Sequence, residues 1–114
     1  MAGFLTTHVL DTYRGRAGAG MEIVLTRASD GTELARTTTN ADGRTDSPLL
    51  EGSGFQVGTY ELHFDVGSYF ADVPGAPDPP FYTVVTIRFS LGEDEHYHVP
   101  LVTSPWSYTT YRGS

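Results

Sequence analysis

A chain of 114 residues with 7 lysine and arginine side chains against 14 aspartates and glutamates carries a net charge of −7 at neutral pH, one domain's worth of sequence on the acidic side. Binding to nucleic acid needs a basic stripe that displaces counterions from phosphates, and only Arg14, Arg16 and Arg27 lie close together, so no nucleic-acid partner is expected. No apolar run approaches the roughly 18 residues of a membrane span, so no membrane partner is expected either, and the lack of cysteine excludes disulfide frameworks, thiolate metal sites and cysteine nucleophiles.

The first residues, Met1 to Leu10, lack a basic stretch followed by an apolar core, so no signal peptide is expected and the default compartment is cytoplasmic. Peroxisomal import in a eukaryotic cell stays open. Leu5 to Leu10 reads as a first short strand, Ala17 to Gly20 as a turn, and Ile23 to Leu25 as a second strand. Asp30-Gly31 marks the next turn. Asn40-Ala41-Asp42-Gly43 reads as a turn that positions Arg44 rather than as a cation loop. Glu51 to Gly54 is a further turn, and its Ser53 lacks the setting of a nucleophile elbow. Tyr60, Leu62 and Phe64 alternate with Glu61, His63 and Asp65, the pattern of a half-buried strand with His63 on its polar face. A helix of one or two turns fits between Gly67 and Val73, and Pro74 to Pro80 form a loop. From Phe81 to Ser90 a strand is expected with Phe81, Val85, Ile87 and Phe89 on one face. With 13 glycines, 7 prolines, 7 tyrosines and 6 phenylalanines, the whole predicts one all-β domain over 1–114, a sandwich or small barrel.

The chemistry begins in His96-Tyr97-His98-Val99-Pro100-Leu101-Val102. A strand's period of two puts His96 and His98 on one face and Tyr97, Val99 and Leu101 on the other. His8 points away from the face bearing Val9 and is a third candidate. Three imidazoles with one H-x-H pair suit zinc, yet a hydrogen-bonded or solvated strand histidine has the same spacing, and no further ligand stands at a diagnostic offset. No serine stands with a neighbouring base, so a hydrolase built on this chain is expected to use water activated by histidine, whose ordinary pKa near 6.5 lies close to neutrality. Thr6 and Thr7 read as ordinary strand residues or as hydroxyls facing a channel, outside the catalytic set. Tyr97 and Trp106 read as packing residues, Trp106 at a subunit contact.

Three blocks in order, Leu5-Thr6-Thr7-His8-Val9-Leu10-Asp11-Thr12, then Thr39-Asn40-Ala41-Asp42-Gly43-Arg44, then His96 to Ser114 ending in Tyr111-Arg112-Gly113-Ser114, resemble the 5-hydroxyisourate hydrolases, the transthyretin-related enzymes of urate breakdown. The resemblance spans the chain and implies a transthyretin-like sandwich of about eight strands in two four-stranded sheets with one short helix. It also implies a homotetramer with sites in a channel where dimers meet. The chain departs from the family's pattern at Asp78-Pro79-Pro80-Phe81-Tyr82-Thr83 and in the glycine-rich stretch Leu49 to Val57.

The resemblance further implies a small-molecule substrate, 5-hydroxyisourate, opened by water to 2-oxo-4-hydroxy-4-carboxy-5-ureidoimidazoline without a covalent intermediate. It carries the catalytic set onto His8, Arg44, His98 and Ser114, and substrate binding onto His8, Arg44, Tyr111 and Ser114. One of His8 and His98 deprotonates the water and the other orients it. Arg44 holds a carbonyl oxygen through its fork of N–H groups. Ser114, with its hydroxyl and α-carboxylate, fixes a histidine tautomer. No cofactor and no metal is implied. The readings from other classes are a transthyretin-like carrier, which binds without turnover, and a β-sandwich binding module, which has no need of His8, His98 and the closing tetrapeptide together.

Overall fold

The computed structural model describes residues 3–114. Strand β1 spans Phe4–Asp11, β2 Arg16–Ala17, β3 Glu22–Arg27, β4 Glu33–Thr38 and β5 Leu50–Glu51, followed by a 3-10 turn at Gly52–Gly54. Next come β6 at Gly58–Phe64, helix α1 at Val66–Tyr69, β7 at Val85–Leu91, β8 at His96–Ser104 and β9 at Ser107–Thr110. One sheet runs β2-β1-β8-β9, with β5 also pairing β1; the other runs β4-β3-β6-β7. Among the described residues this makes nine strands rather than about eight, because β2 and β5 are two-residue strands at opposite ends of the same edge of β1. Phe4–Leu5 pair with β5 and Leu10–Asp11 with β2, which leaves the middle of that edge to a turn described below.

The sandwich closes because apolar residues recur at every second position. Leu5 and Val9 of β1, Ile23 and Leu25 of β3, Leu62 and Phe64 of β6 and Leu101 of β8 are fully buried between the sheets. Their neighbours, Phe4, Thr6 and His8 on β1 and His96 and His98 on β8, face outward. Two expectations shift. The helix begins at Val66, one residue ahead of the expected span, because the Asp65 carboxylate accepts the Ser68 N–H at 3.3 Å and caps it. The strand expected from Phe81 begins at Val85, and Phe81 is 66% exposed. Pro79 and Pro80 have no N–H for a ladder, and the Thr83 carbonyl is taken by the Gly67 N–H at 2.9 Å, so the segment is tied to α1 instead of to β6.

One buried charge joins the layers. The Asp11 carboxylate is inaccessible to solvent and accepts from the Arg14 N–H (2.9 Å), the Arg14 guanidinium (2.9 Å) and the Tyr69 hydroxyl of α1 (2.7 Å). Burial pushes this carboxyl up, but the hydrogen bonds and the Arg14 charge outweigh it and hold the group below the usual carboxylate range. Asp11→Ala is expected to cost about 3 kcal/mol in urea unfolding, because it strands the Arg14 and Tyr69 donors. Since the folded-state pKa is depressed, this stabilisation is present above the unfolded value of about 3.9 and lost as pH falls through the folded one. The wild-type advantage over the variant should therefore shrink in acid.

Candidate active site

The outward face of the five-stranded sheet carries the candidate residues, and its layout follows from one pairing. β1 and β8 lie parallel, with Phe4 opposite His96, Thr6 opposite His98 and His8 opposite Pro100. Residues directly opposite share a face, so Thr6 meets both histidines of the H-x-H pair. Its Oγ1 lies 2.9 Å from His96 Nε2 and 2.8 Å from His98 Nδ1. The Phe4 ring stacks on the His96 ring at 4.1 Å and 8° and fixes its plane.

Arg44 reaches the same face through the turn that fills the open middle of the β1 edge. The Asn40 side-chain oxygen accepts the N–H groups of Asp42 (2.9 Å) and Arg44 (3.2 Å), closing the turn on itself. Gly43 adopts φ +74°, and a side chain there would run into the Val9 carbonyl, so only glycine seats the turn this close to β1. The Val9 N–H then donates to the Gly43 carbonyl at 2.8 Å, and His8 and Arg44 sit opposite each other as a bridge. Arg14, Arg27, Arg36, Arg88 and Arg112 are each tied to a carboxylate; among the described residues Arg44 forms no ion pair and keeps its guanidinium free.

The last residues are pinned rather than frayed. The Gly113 N–H donates to the His98 carbonyl at 2.8 Å, the Arg112 guanidinium lies 4.3 Å over the Tyr97 ring and pairs with Glu95 at 2.7 Å, and the Thr110 hydroxyl donates to the Pro100 carbonyl at 2.8 Å. Ser114 is thereby brought to a cleft of about 330 Å³ lined by Phe4, Thr6, Arg44, His96, His98 and Ser114. Asp46 also lines this cleft.

The electrostatics are those of neutral imidazoles next to a cation. Burial, then the Arg44 charge, then His96 and His8 lower the His98 pKa. Burial and Arg44 lower that of His8, with a main-chain hydrogen bond and the charge of Asp42 working against them. Both rings are therefore lone-pair bearers at pH 7, suited to accept a proton, while Arg44 offers N–H donors for an oxyanion. Among the described residues no group of three His, Asp or Glu side chains is arranged to hold a metal.

Of the residues singled out from sequence, His8, Arg44, His98 and Ser114 share this face. Tyr111 does not reach the cleft within one chain. It is 55% exposed and lines a separate apolar groove with Ile87, Phe89 and Tyr97. His63 is held between the Thr26 and Thr86 hydroxyls at 3.0 and 3.1 Å on the other sheet, as a surface residue. Thr7 points inward and donates to the Val99 carbonyl. Sequence reasoning left Thr6 outside the site. Its parity with His8 was legible, but its position between two histidines depends on pairing with a strand some 90 residues away.

Comparisons agree with this architecture. Residues 5–113 match the model of the HIUase/Transthyretin family. The chain is 54% identical to a 5-hydroxyisourate hydrolase of Deinococcus radiodurans over 113 residues, covering 96% of this chain and 95% of that protein. It superposes on the Klebsiella pneumoniae 5-hydroxyisourate hydrolase structure with a TM-score of 0.84 at 33% identity over the full length of both. It also superposes on an (S)-allantoin synthase with a TM-score of 0.91 at 44% identity, where it covers 98% of its own length but 44% of that longer chain. With the family model matched from the first core leucine to the glycine that pins the tail, this chain belongs to the HIUase/Transthyretin family.

Proposed function

We propose that this chain hydrolyses 5-hydroxyisourate to 2-oxo-4-hydroxy-4-carboxy-5-ureidoimidazoline, with histidine-activated water and no covalent intermediate. The observation that carries the reading is an open cleft lined by His98 and an unpaired Arg44, with His8 bridged to Arg44 on the same face of the sheet, in a chain 54% identical to a named hydrolase of this substrate. His98 takes the proton from water, because its Nδ1 is engaged by Thr6 and its Nε2 has no partner within the chain. His8 orients the water or the ring. Arg44 donates to the carbonyl oxygen as it gains negative charge. Ser114 closes the cleft beside His98. No cofactor enters the scheme.

The outward face bearing these residues is open in a single chain, and a homotetramer would enclose it where dimers meet. In such an assembly Tyr111 and the half-exposed Trp106 are available to a neighbouring copy. The cytoplasm is the compartment proposed.

The pH dependence follows from the two depressed imidazoles. A base whose pKa lies below 6.5 is more than half neutral at pH 6.5, so the acid limb of kcat/KM should be centred below that value. An acid limb centred above 6.5 would contradict this assignment. For the activity itself, 5-hydroxyisourate is generated in place from urate with urate oxidase and its ultraviolet absorbance is followed with and without the protein, beside a His98→Ala control. Faster decay with the wild type alone supports the proposal. Equal decay with a folded, tetrameric protein sinks it and favours a carrier.

A further inference from the structure

We propose that the Thr6 hydroxyl is a proton bridge between His98 and His96, a positioning residue that sets the tautomer of His98 and relays the charge of the proton gained from water to the less buried ring of His96. The inference rests on the hydrolytic reading above and extends it by two residues, Thr6 and His96, that neither the resemblance nor the sequence pattern places in the reaction.

The geometry restricts the possibilities. A threonine hydroxyl has one hydrogen to donate, and two ring nitrogens lie within 3 Å of Thr6 Oγ1. When Oγ1 donates to one neutral ring, the other ring must donate to Oγ1, so the two tautomers are tied. In one arrangement His98 Nδ1–H donates to Oγ1, and Oγ1–H donates to the lone pair on His96 Nε2. His98 Nε2 then carries a bare lone pair, as a base requires. The reverse arrangement places a proton on His98 Nε2 and disables it as a base.

Charge favours the transfer. An imidazolium on His98 would stand among Arg44, His8 and His96, in partial burial, with the Asp46 carboxylate and the hydroxyls of Thr45, Ser47 and Ser114 also lining the cleft. His96 lies on the exposed side of the pair, 6.2 Å away between ring centres, with its plane held by Phe4.

The step balances. Water loses a proton to His98 Nε2 as its oxygen bonds to the substrate carbonyl carbon. The Nδ1 proton of His98 moves to Oγ1, and the Oγ1 proton moves to His96 Nε2. His98 is left neutral with an N–H at Nε2, His96 is an imidazolium, and Arg44 faces the oxyanion. When the ring C–N bond breaks, His98 Nε2–H protonates the leaving nitrogen and the two bridge protons run back, which restores both rings. Thr6 changes no bond to substrate, so its contribution is confined to kcat.

The test uses Thr6→Val, which keeps the shape and removes the hydroxyl, and Thr6→Ser, which restores it. In wild type, imidazole 15N spectra of the free protein should show neutral His98 protonated at Nδ1, and in Thr6→Val the Nε2–H form should gain. Thr6→Val should lose about tenfold or more in kcat, within the 10²–10⁴ ceiling of a general base, at unchanged KM. Thr6→Ser should recover both signals. Wild-type His98 found neutral with its proton on Nε2 overturns the bridge, as does an unchanged kcat in Thr6→Val or a failure of Thr6→Ser to rescue. The spectra need no turnover. If the wild type proves inactive, the hydrolytic reading fails on its own, and the tautomer measurement still decides whether the bridge exists.

Discussion

Replacing His98 by alanine should lower kcat by about 10²–10⁴-fold, the contribution of a positioned general base, while leaving the protein folded. The ring lies on the outward face of β8, so its removal empties no part of the inter-sheet core, and unfolding free energy should change by less than about 1 kcal/mol. What disappears is the proposed base, held from two directions: Thr6 engages the ring at Nδ1, and the Gly113 N–H fixes the main chain beneath it. Single-turnover absorbance decay against the spontaneous background, with chemical denaturation of the same sample, separates the two quantities. A variant within threefold of wild-type kcat would move the role of base to His8, whose ring shares the burial and the Arg44 charge that keep an imidazole neutral.

The second large effect is expected from a single methyl group. In Gly113→Ala the new Cβ would stand 2.6 Å from His98 Cδ2 and 3.3 Å from Cγ, so ring or tail must move. The ring cannot swing freely without breaking its 2.8 Å bond to Thr6, and the tail cannot lift without losing the Gly113 N–H bond to the His98 carbonyl. Misplacement of a catalytic group by about 1 Å can cost on the order of 100-fold, so a loss of about tenfold to a hundredfold in kcat is expected with little change in thermal stability. Gly54→Ala is the control, since a Cβ there meets nothing within 4 Å and its φ lies outside the left-handed region. Equal, small effects of both substitutions would show that the tail does not set the ring.

These two variants locate the functional information in different places. His98 is legible in sequence because strand parity is local. Successive Cβ atoms alternate, so His96 and His98 share a face whatever the rest of the chain does. The steric demand at Gly113 is invisible there. A glycine three residues past the last strand has no local feature that marks it, and only the antiparallel bridge between His98 and Gly113 turns it into a contact.

Alternation and turn chemistry, read from the sequence alone, determined the all-β class, the inward sets such as Leu5 with Val9 and Leu62 with Phe64, the Asn40–Gly43 turn and the outward parity of the histidines. Each of these depends on residues within a few positions of one another. Where local preference met a distant competitor, it lost. Phe81 has the apolar character of a strand residue but stands exposed, because the prolines before it deny the ladder its donors and the Thr83 carbonyl is committed to α1. The partners of each strand were decided only by the tertiary structure, since they are chosen by which faces must be buried together rather than by neighbours in the chain. Parallel pairing of β1 with β8 put Thr6 between His96 and His98, and the edge left open by the short β2 and β5 admitted the turn that brings Arg44 beside His8.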